Sequence, residues 1–140
     1  MTATLDPSTK ADARALARLA TEKIAWLTTV NAEGQAQSSP LWFLLVDDAI
    51  FLYSRKDAPR NRNIRGNPRV AFNLHTDAGG GDIVSMEGTA RIDPDGPLCS
   101  SNPAYLAKYG EMLKDEGGPE FMDREYPVSV WITPTRWRAG

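Results

Sequence analysis

The chain has 140 residues, of which 41% are hydrophobic and 24% charged, and its formal net charge is −2. This length and composition are typical of one globular domain and exclude a disordered tail, a collagen and a disulfide-rich miniprotein. The pI near 5.4 argues against a general nucleic-acid binder. A single cysteine, Cys99, excludes an internal disulfide and a multi-cysteine metal site.

We expect one domain over residues 1–140, with residues 1–8 disordered. The longest apolar run is interrupted at Asp47-Asp48 and is far shorter than the roughly 20 residues of a membrane-spanning helix. The first ten residues have no cationic region followed by an apolar block, as a secretory signal would. We therefore expect a cytoplasmic protein that binds neither membranes nor nucleic acid.

The first half of the chain predicts a helix followed by antiparallel strands. Ser8 or Thr9 can cap the helix, and β-branched and aromatic residues then predict strands separated by turns. Pro40 cannot donate to a strand ladder, which predicts an edge or a bulge there. The predicted elements are a helix to about Lys23 and strands at 24–30, 35–46 and 49–54.

The second half predicts two more helices and three more strands. The elements are a short helix at 60–65, strands at 69–74 and 83–92, a helix from Asn102-Pro103 to about Lys114, and a last strand at 127–133. Six strands in meander order predict a mainly β, α+β fold. We expect a closed or nearly closed antiparallel barrel with two or three peripheral helices.

Several kinds of catalytic site are not supported by the sequence. The only histidine, His75, has no partner at metal-ligand spacing, so no metal site is expected. No nucleophile elbow is present, and Cys99 has no second histidine to activate it. The run of three glycines at 79–81 lacks a phosphate-loop pattern and is better interpreted as a hairpin loop.

One segment is strongly basic although the chain is acidic overall. Residues 55–69 include six cationic side chains and one acidic side chain, Asp57. The hydroxyl of Ser54 with the side chains of Arg55, Lys56 and Arg60 would suit one phosphate group or several. A solvated basic face is the alternative. Nucleic acid is disfavoured because no basic stripe continues elsewhere in the chain.

An aromatic strand segment lies beside this basic segment in the predicted fold. Antiparallel pairing around Asp47-Asp48 places Trp42 and Phe43 near the level of Ser54. A planar ring lying along this strand would meet free backbone groups where Pro40 interrupts the ladder. Taken alone, Trp42 is more typical of a core residue than of a cofactor wall.

Seven short motifs follow one another along the chain: Ile24-Ala-Trp-Leu-Thr-Thr, Asn31-Ala-Glu-Gly34, Ser39-Pro-Leu-Trp42, Tyr53-Ser-Arg-Lys56, Arg60-Asn-Arg-Asn-Ile64, Asn67-Pro-Arg-Val70 and Glu87-Gly-Thr-Ala-Arg91. In their order and spacing, over residues 15–138, the chain resembles the pyridoxamine 5′-phosphate oxidase-like split-barrel superfamily, closest to its actinobacterial branch that uses the deazaflavin F420. The resemblance implies a split β-barrel and a homodimer with two cofactor sites at its interface. Many relatives have lysine where this chain has Arg60.

The resemblance also implies which residues bind the cofactor. The phosphate-binding positions match Ser54, Arg55, Lys56, Arg60 and Asn61. The strand that borders the ring matches Gln37, Ser38, Ser39, Pro40, Leu41 and Trp42, and Trp137 would reach the partner subunit's site.

The expected function is an F420-dependent oxidoreductase that transfers a hydride between the reduced cofactor and a small unsaturated or conjugated substrate. Such chemistry resides in the cofactor, which fits a chain without a nucleophile, metal set or paired acids. Six cations within fifteen residues suit the long anionic tail of F420 better than a lone phosphate. Alternatives are an FMN-dependent oxidoreductase of the same fold, a carrier without turnover and a basic interaction module.

Overall fold

Four α-helices surround one antiparallel sheet in the computed structural model, which describes residues 2–140. The helices are α1 (Lys10–Thr21), α2 (Pro59–Gly66), α3 (Pro103–Leu113) and α4 (Pro119–Glu125). The strands are β1 (Ala25–Val30), β2 (Ala36–Leu41), β3 (Leu44–Val46), β4 (Ala49–Ser54), β5 (Arg69–Asn73), β6 (Val84–Asp93) and β7 (Val128–Ala139). Their order in the sheet is β2-β1-β5-β6-β7-β4-β3. The predicted mainly β, α+β split-barrel fold is confirmed.

The sheet has seven strands rather than six because the predicted strand at 35–46 is interrupted. Trp42 and Phe43 leave the ladder between β2 and β3. The hydroxyl of Tyr109 on α3 accepts from the Phe43 amide at 2.9 Å and lies 3.0 Å from the Phe43 carbonyl oxygen. A side chain thus replaces a neighbouring strand as the hydrogen-bond partner of Phe43. Pro40 lies on β2 at the edge of the sheet, as predicted.

Two other elements differ from the sequence prediction. Helix α4 was not predicted, because Gly117-Gly118 and Pro119 resemble a loop. Both glycines have positive φ and end the preceding turn, and Pro119 then begins the new helix. The last strand continues beyond Pro134 because a bulge opposite Glu87 and Gly88 absorbs one residue of β7.

The N-terminal segment contacts the sheet. The Ala3 amide donates to the Pro134 carbonyl at 2.8 Å, and Leu5 is buried in the main core. These contacts differ from the disorder expected for residues 1–8, of which Met1 lies outside the described residues. Thr9 caps α1 by accepting from the Asp12 amide, as predicted.

The core consists of two clusters. The larger one fills the interior of the sheet under α1 and α2, around Leu27, Phe72 and Ile132. The smaller one joins α3 and α4 to the outer side of β4, where Tyr53 and Tyr105 pack edge to face at 4.9 Å. No helix within residues 2–140 is long and apolar enough to cross a membrane.

Gly88 allows β6 and β7 to approach closely, and its replacement tests their packing. A Cβ at Gly88 would lie 2.7 Å from the Thr133 carbonyl oxygen, whereas one at Gly110 on α3 would meet no atom within 4 Å. We expect Gly88→Ala to lower the free energy of unfolding by about 2–3 kcal/mol. Gly110→Ala, the control, is expected to raise it by about 0.5–1 kcal/mol. Urea unfolding measures both, and equal effects would contradict this packing.

Candidate functional site

A cavity of about 660 Å³ opens between the end of β2, the end of β4 and helices α3 and α4. Its wall is mostly aromatic and aliphatic, and two arginines stand among these apolar side chains. A concave apolar site with few polar groups is the usual form of a small-molecule site. The lining residues are Ile24, Pro40, Leu41, Trp42, Tyr53, Arg55, Ala58, Arg60, Tyr105, Met112, Leu113, Glu116, Phe121, Met122 and Tyr126.

Arg60 projects from α2 into this cavity and is partly buried there. One of its terminal nitrogens donates to the Ser39 hydroxyl at 3.0 Å. The ion pairs formed within residues 2–140 do not include Arg60, and burial lowers the pKa of its guanidinium. A desolvated cation without an acidic partner favours an anion in the adjacent space.

Arg55 is the second cation of the cavity and lies at its exposed side. Its guanidinium carbon lies over the Tyr126 ring, 4.6 Å from the ring centroid, and one terminal nitrogen reaches the Glu125 carboxylate at 3.3 Å. This cation–π contact restrains the guanidinium while leaving some of its donors free to bind other groups. Lys56, the next residue, is exposed and does not line the cavity.

Ser54 and Asn61 lie beneath the surface behind the two arginines. Ser54 is fully buried, and its hydroxyl has no hydrogen-bond partner within residues 2–140. The Asn61 amide nitrogen donates to the Arg55 carbonyl at 2.7 Å, which fixes the turn from β4 into α2, whereas its amide oxygen has no partner among residues 2–140. Asn61 therefore supports the backbone that carries Arg55, and neither Asn61 nor Ser54 lines the cavity.

Only part of the segment from Gln37 to Trp42, which is expected to border the ring, lines the cavity. Pro40, Leu41 and Trp42 line the cavity, and the Trp42 ring stacks on Tyr109 with a centroid distance of 4.6 Å and an angle of 2°. The preceding residues secure the strand instead of lining the cavity. The Gln37 side chain accepts from Asn63 at 2.9 Å, and the Ser38 and Thr28 hydroxyls lie 2.6 Å apart.

Trp137 lies away from this cavity. It stands on β7 opposite Met86 and packs against the main core cluster. Its expected contact with a partner subunit's site stays a prediction.

The aromatic wall supplied by α3 and α4 was not predicted as part of the site. Tyr105, Phe121 and Tyr126 lie in segments whose spacing resembles an ordinary apolar helix face or a loop. Only the packing of these helices against β4 distinguishes the cavity wall from the core, and no local sequence signal contains that information.

His75, a possible metal ligand, is hydrogen-bonded, and Cys99, a possible nucleophile, is buried. The Trp26 indole donates to the second ring nitrogen of His75, Nε2, at 2.9 Å. Cys99 is buried, and burial raises the pKa of its thiol to about 11. A thiol with this pKa is a poor nucleophile at neutral pH. No group of three or more His, Cys, Asp or Glu side chains within residues 2–140 is placed to hold a metal ion.

Comparison with solved structures relates this fold to proteins with several ligands. The chain matches an F420 reductase at 21% identity (TM-score 0.68, covering 87% of this chain and 94% of that one). It matches a FAD-binding protein from Mesorhizobium loti at 18% identity (0.65, 89% and 90%). It matches the heme storage protein HutZ from Vibrio cholerae at 16% identity (0.61, 98% and 95%). At these identities the likeness concerns the fold alone.

No curated protein matches this sequence. The pyridoxamine 5′-phosphate oxidase family matches residues 11–139. This match spans nearly the whole chain, including every strand and the cavity between β2, β4 and α3. The chain therefore belongs to the pyridoxamine 5′-phosphate oxidase family.

Proposed function

We propose that this protein is an F420-dependent oxidoreductase that transfers a hydride between the reduced deazaflavin and a small conjugated substrate. The observation that carries the proposal is the pairing of an aromatic cavity with Arg60, a partly buried cation that has no acidic partner within residues 2–140. A planar ring with an anionic tail satisfies both features at once.

The residues of the cavity fit such a cofactor. Arg55 and Arg60 would hold its anionic groups, since guanidinium forks bind phosphate oxygens in pairs. Pro40, Leu41 and Trp42 would border the ring, and the stacking of Trp42 on Tyr109 fixes the orientation of that border. When bound, the deazaflavin would supply the hydride chemistry, and the chain's own residues would bind, orient and exclude water.

FMN is the alternative cofactor, and the FAD-binding relative supports it. Both ligands combine a planar ring with an anionic tail, so the same cavity would serve either. The cluster of six cations between residues 55 and 69 favours the longer, more anionic tail of F420. Heme is less well supported, because the chain's only histidine is His75, and Trp26 occupies one of its ring nitrogens.

We expect titration of the protein with F420, and separately with FMN, to distinguish these functions. Saturable quenching of tryptophan fluorescence by F420, with weaker binding of FMN, is the expected result. The opposite preference would indicate the FMN-dependent alternative, and binding of neither would contradict the proposal. Stoichiometric F420 binding without oxidation of the reduced cofactor by any conjugated substrate would indicate a carrier.

Arg60→Ala tests the anion site, with Arg62→Ala as the matched control. Arg62 lies on the same helix but is exposed and outside the cavity. Loss of a charge-assisted hydrogen bond of about 1.5–3 kcal/mol weakens F420 binding roughly 10- to 150-fold in Arg60→Ala. Arg62→Ala is expected to change the Kd less than threefold at 0.15 M salt, because exposed charges are screened. Equal losses in the two variants would indicate a diffuse basic surface instead of a site.

The family resemblance further supports a homodimer with cofactor sites at its interface. Light scattering is expected to give a mass near twice 15.4 kDa. A monomer at micromolar concentration would contradict a site shared between subunits.

A further inference from the structure

Three tyrosines pack together beside the cavity, and their hydroxyls differ in one respect. The Tyr53 hydroxyl donates to the Pro97 carbonyl at 2.7 Å and accepts from Asn102 at 3.1 Å. The Tyr109 hydroxyl has partners in Lys23 and Phe43. The Tyr105 hydroxyl, although its side chain is fully buried, has no hydrogen-bond partner within residues 2–140.

A buried hydroxyl without a partner is unfavourable, and proteins retain few of them. The Tyr105 ring is held between its neighbours, with centroids 4.9 Å from Tyr53 and 4.8 Å from Tyr109. A phenylalanine would make the same ring contacts without leaving a polar atom unsatisfied. The hydroxyl therefore contributes nothing to the packing of these three rings.

Tyr105 lines the same cavity as Arg55 and Arg60. Burial, first among the causes, raises the pKa of its phenol, so the hydroxyl keeps its proton at neutral pH and is available as a donor. The cavity thus combines cations, apolar aromatic walls and a buried tyrosine whose hydroxyl has no partner within residues 2–140.

We propose that Tyr105 is a specificity-determining residue, whose hydroxyl donates to a carbonyl oxygen of a planar, conjugated, anionic ligand bound in this cavity. The inference rests on the proposed function in assigning the cavity to a small-molecule ligand. A deazaflavin or flavin ring with its carbonyl oxygens and anionic tail belongs to this class, and so does a conjugated carbonyl acid acting as substrate. A site built to donate a hydrogen bond discriminates against isosteric compounds that lack the acceptor.

The test uses two probes of the same shape, 4-acetylbenzoate and 4-isopropenylbenzoate. Both carry a carboxylate for the arginines, and they differ only in a C=O or C=CH₂ group at the far end. Their Kd values are measured by NMR titration of the ¹⁵N-labelled protein. We expect the wild-type protein to prefer 4-acetylbenzoate about tenfold, as one hydrogen bond of about 1.4 kcal/mol provides. In Tyr105→Phe this preference is expected to disappear.

The Tm of the variants, measured without ligand, distinguishes this role from a structural one. If the Tyr105 hydroxyl stabilised the fold, its removal would lower the Tm. We expect Tyr105→Phe to be at least as stable as wild type, because the substitution removes an unsatisfied hydroxyl. Tyr53→Phe and Tyr109→Phe, which lose hydroxyls with partners, are expected to have a lower Tm. Three results would overturn the proposal: a Tyr105→Phe variant that is destabilised like these controls, one that retains the preference, or a wild-type protein that binds neither probe or both equally.

Failure of this inference is distinguishable from failure of the proposed function. A protein that binds neither F420 nor FMN but loses its carbonyl preference in Tyr105→Phe would overturn the function and support the role of Tyr105. A protein that binds F420 equally well with and without the Tyr105 hydroxyl, and shows no carbonyl preference, would overturn the role of Tyr105 alone.

Discussion

The position of Arg60 is the constraint on which the site depends. The side chain is partly buried against β2, and Ser39 is its side-chain hydrogen-bond partner within residues 2–140. Its charge must nevertheless be retained, because a guanidinium does not lose its proton in a protein. A partly buried cation without an acidic partner costs the fold some stability, and an anion bound in the cavity would offset that cost. The arrangement is therefore typical of a binding site and atypical of a structural ion pair.

The cavity that Arg60 faces exists because helix α3 interrupts a strand. The Tyr109 hydroxyl accepts from the Phe43 amide, and Lys108 Nζ donates to the Phe43 carbonyl at 3.0 Å, so Phe43 leaves the sheet with both of its backbone polar groups partnered. Trp42 then turns onto the Tyr109 ring and presents its indole to the cavity. The same tyrosine thus determines where the sheet splits and how the aromatic border of the site is oriented. Helix α4 completes the enclosure with Phe121 and Met122.

Local signals in the sequence predicted much of the fold. The spacing of apolar residues and the caps at Thr9 and Asn102 located three helices, and the turn at Asp47-Asp48 located the hairpin of β3 and β4. The errors arose where long-range contacts override local preference. Pro134 would normally end a strand, but the bulge opposite Gly88 allows β7 to continue. Trp42 and Phe43 are residue types that favour strands, but Tyr109 on helix α3 contacts both of them outside the sheet: it stacks on the Trp42 ring and accepts from the Phe43 amide.

Local signals in the sequence also predicted part of the site. The charge and aromatic patterns identified Arg55, Arg60 and the segment from Pro40 to Trp42, all of which line one cavity. Their role in binding stays a prediction. Ser54 and Lys56 belong to the same short motif but do not line the cavity. Ser54 is buried at the end of β4, and Lys56 is exposed to solvent. Which members of a motif face a cavity depends on packing against α3 and α4, and the motif itself does not contain that information.

We infer that the Arg60 guanidinium serves a ligand at a cost to the stability of the fold. Urea unfolding of ligand-free wild type, Arg60→Met and Arg62→Met tests this claim most directly. An apolar side chain of similar length is expected to leave the free energy of unfolding unchanged or to raise it by up to about 2 kcal/mol at position 60. The exposed control at position 62 is expected to change it by less than about 0.5 kcal/mol. A loss of more than about 1 kcal/mol in Arg60→Met would instead show that Arg60 stabilises the fold, and would contradict the account.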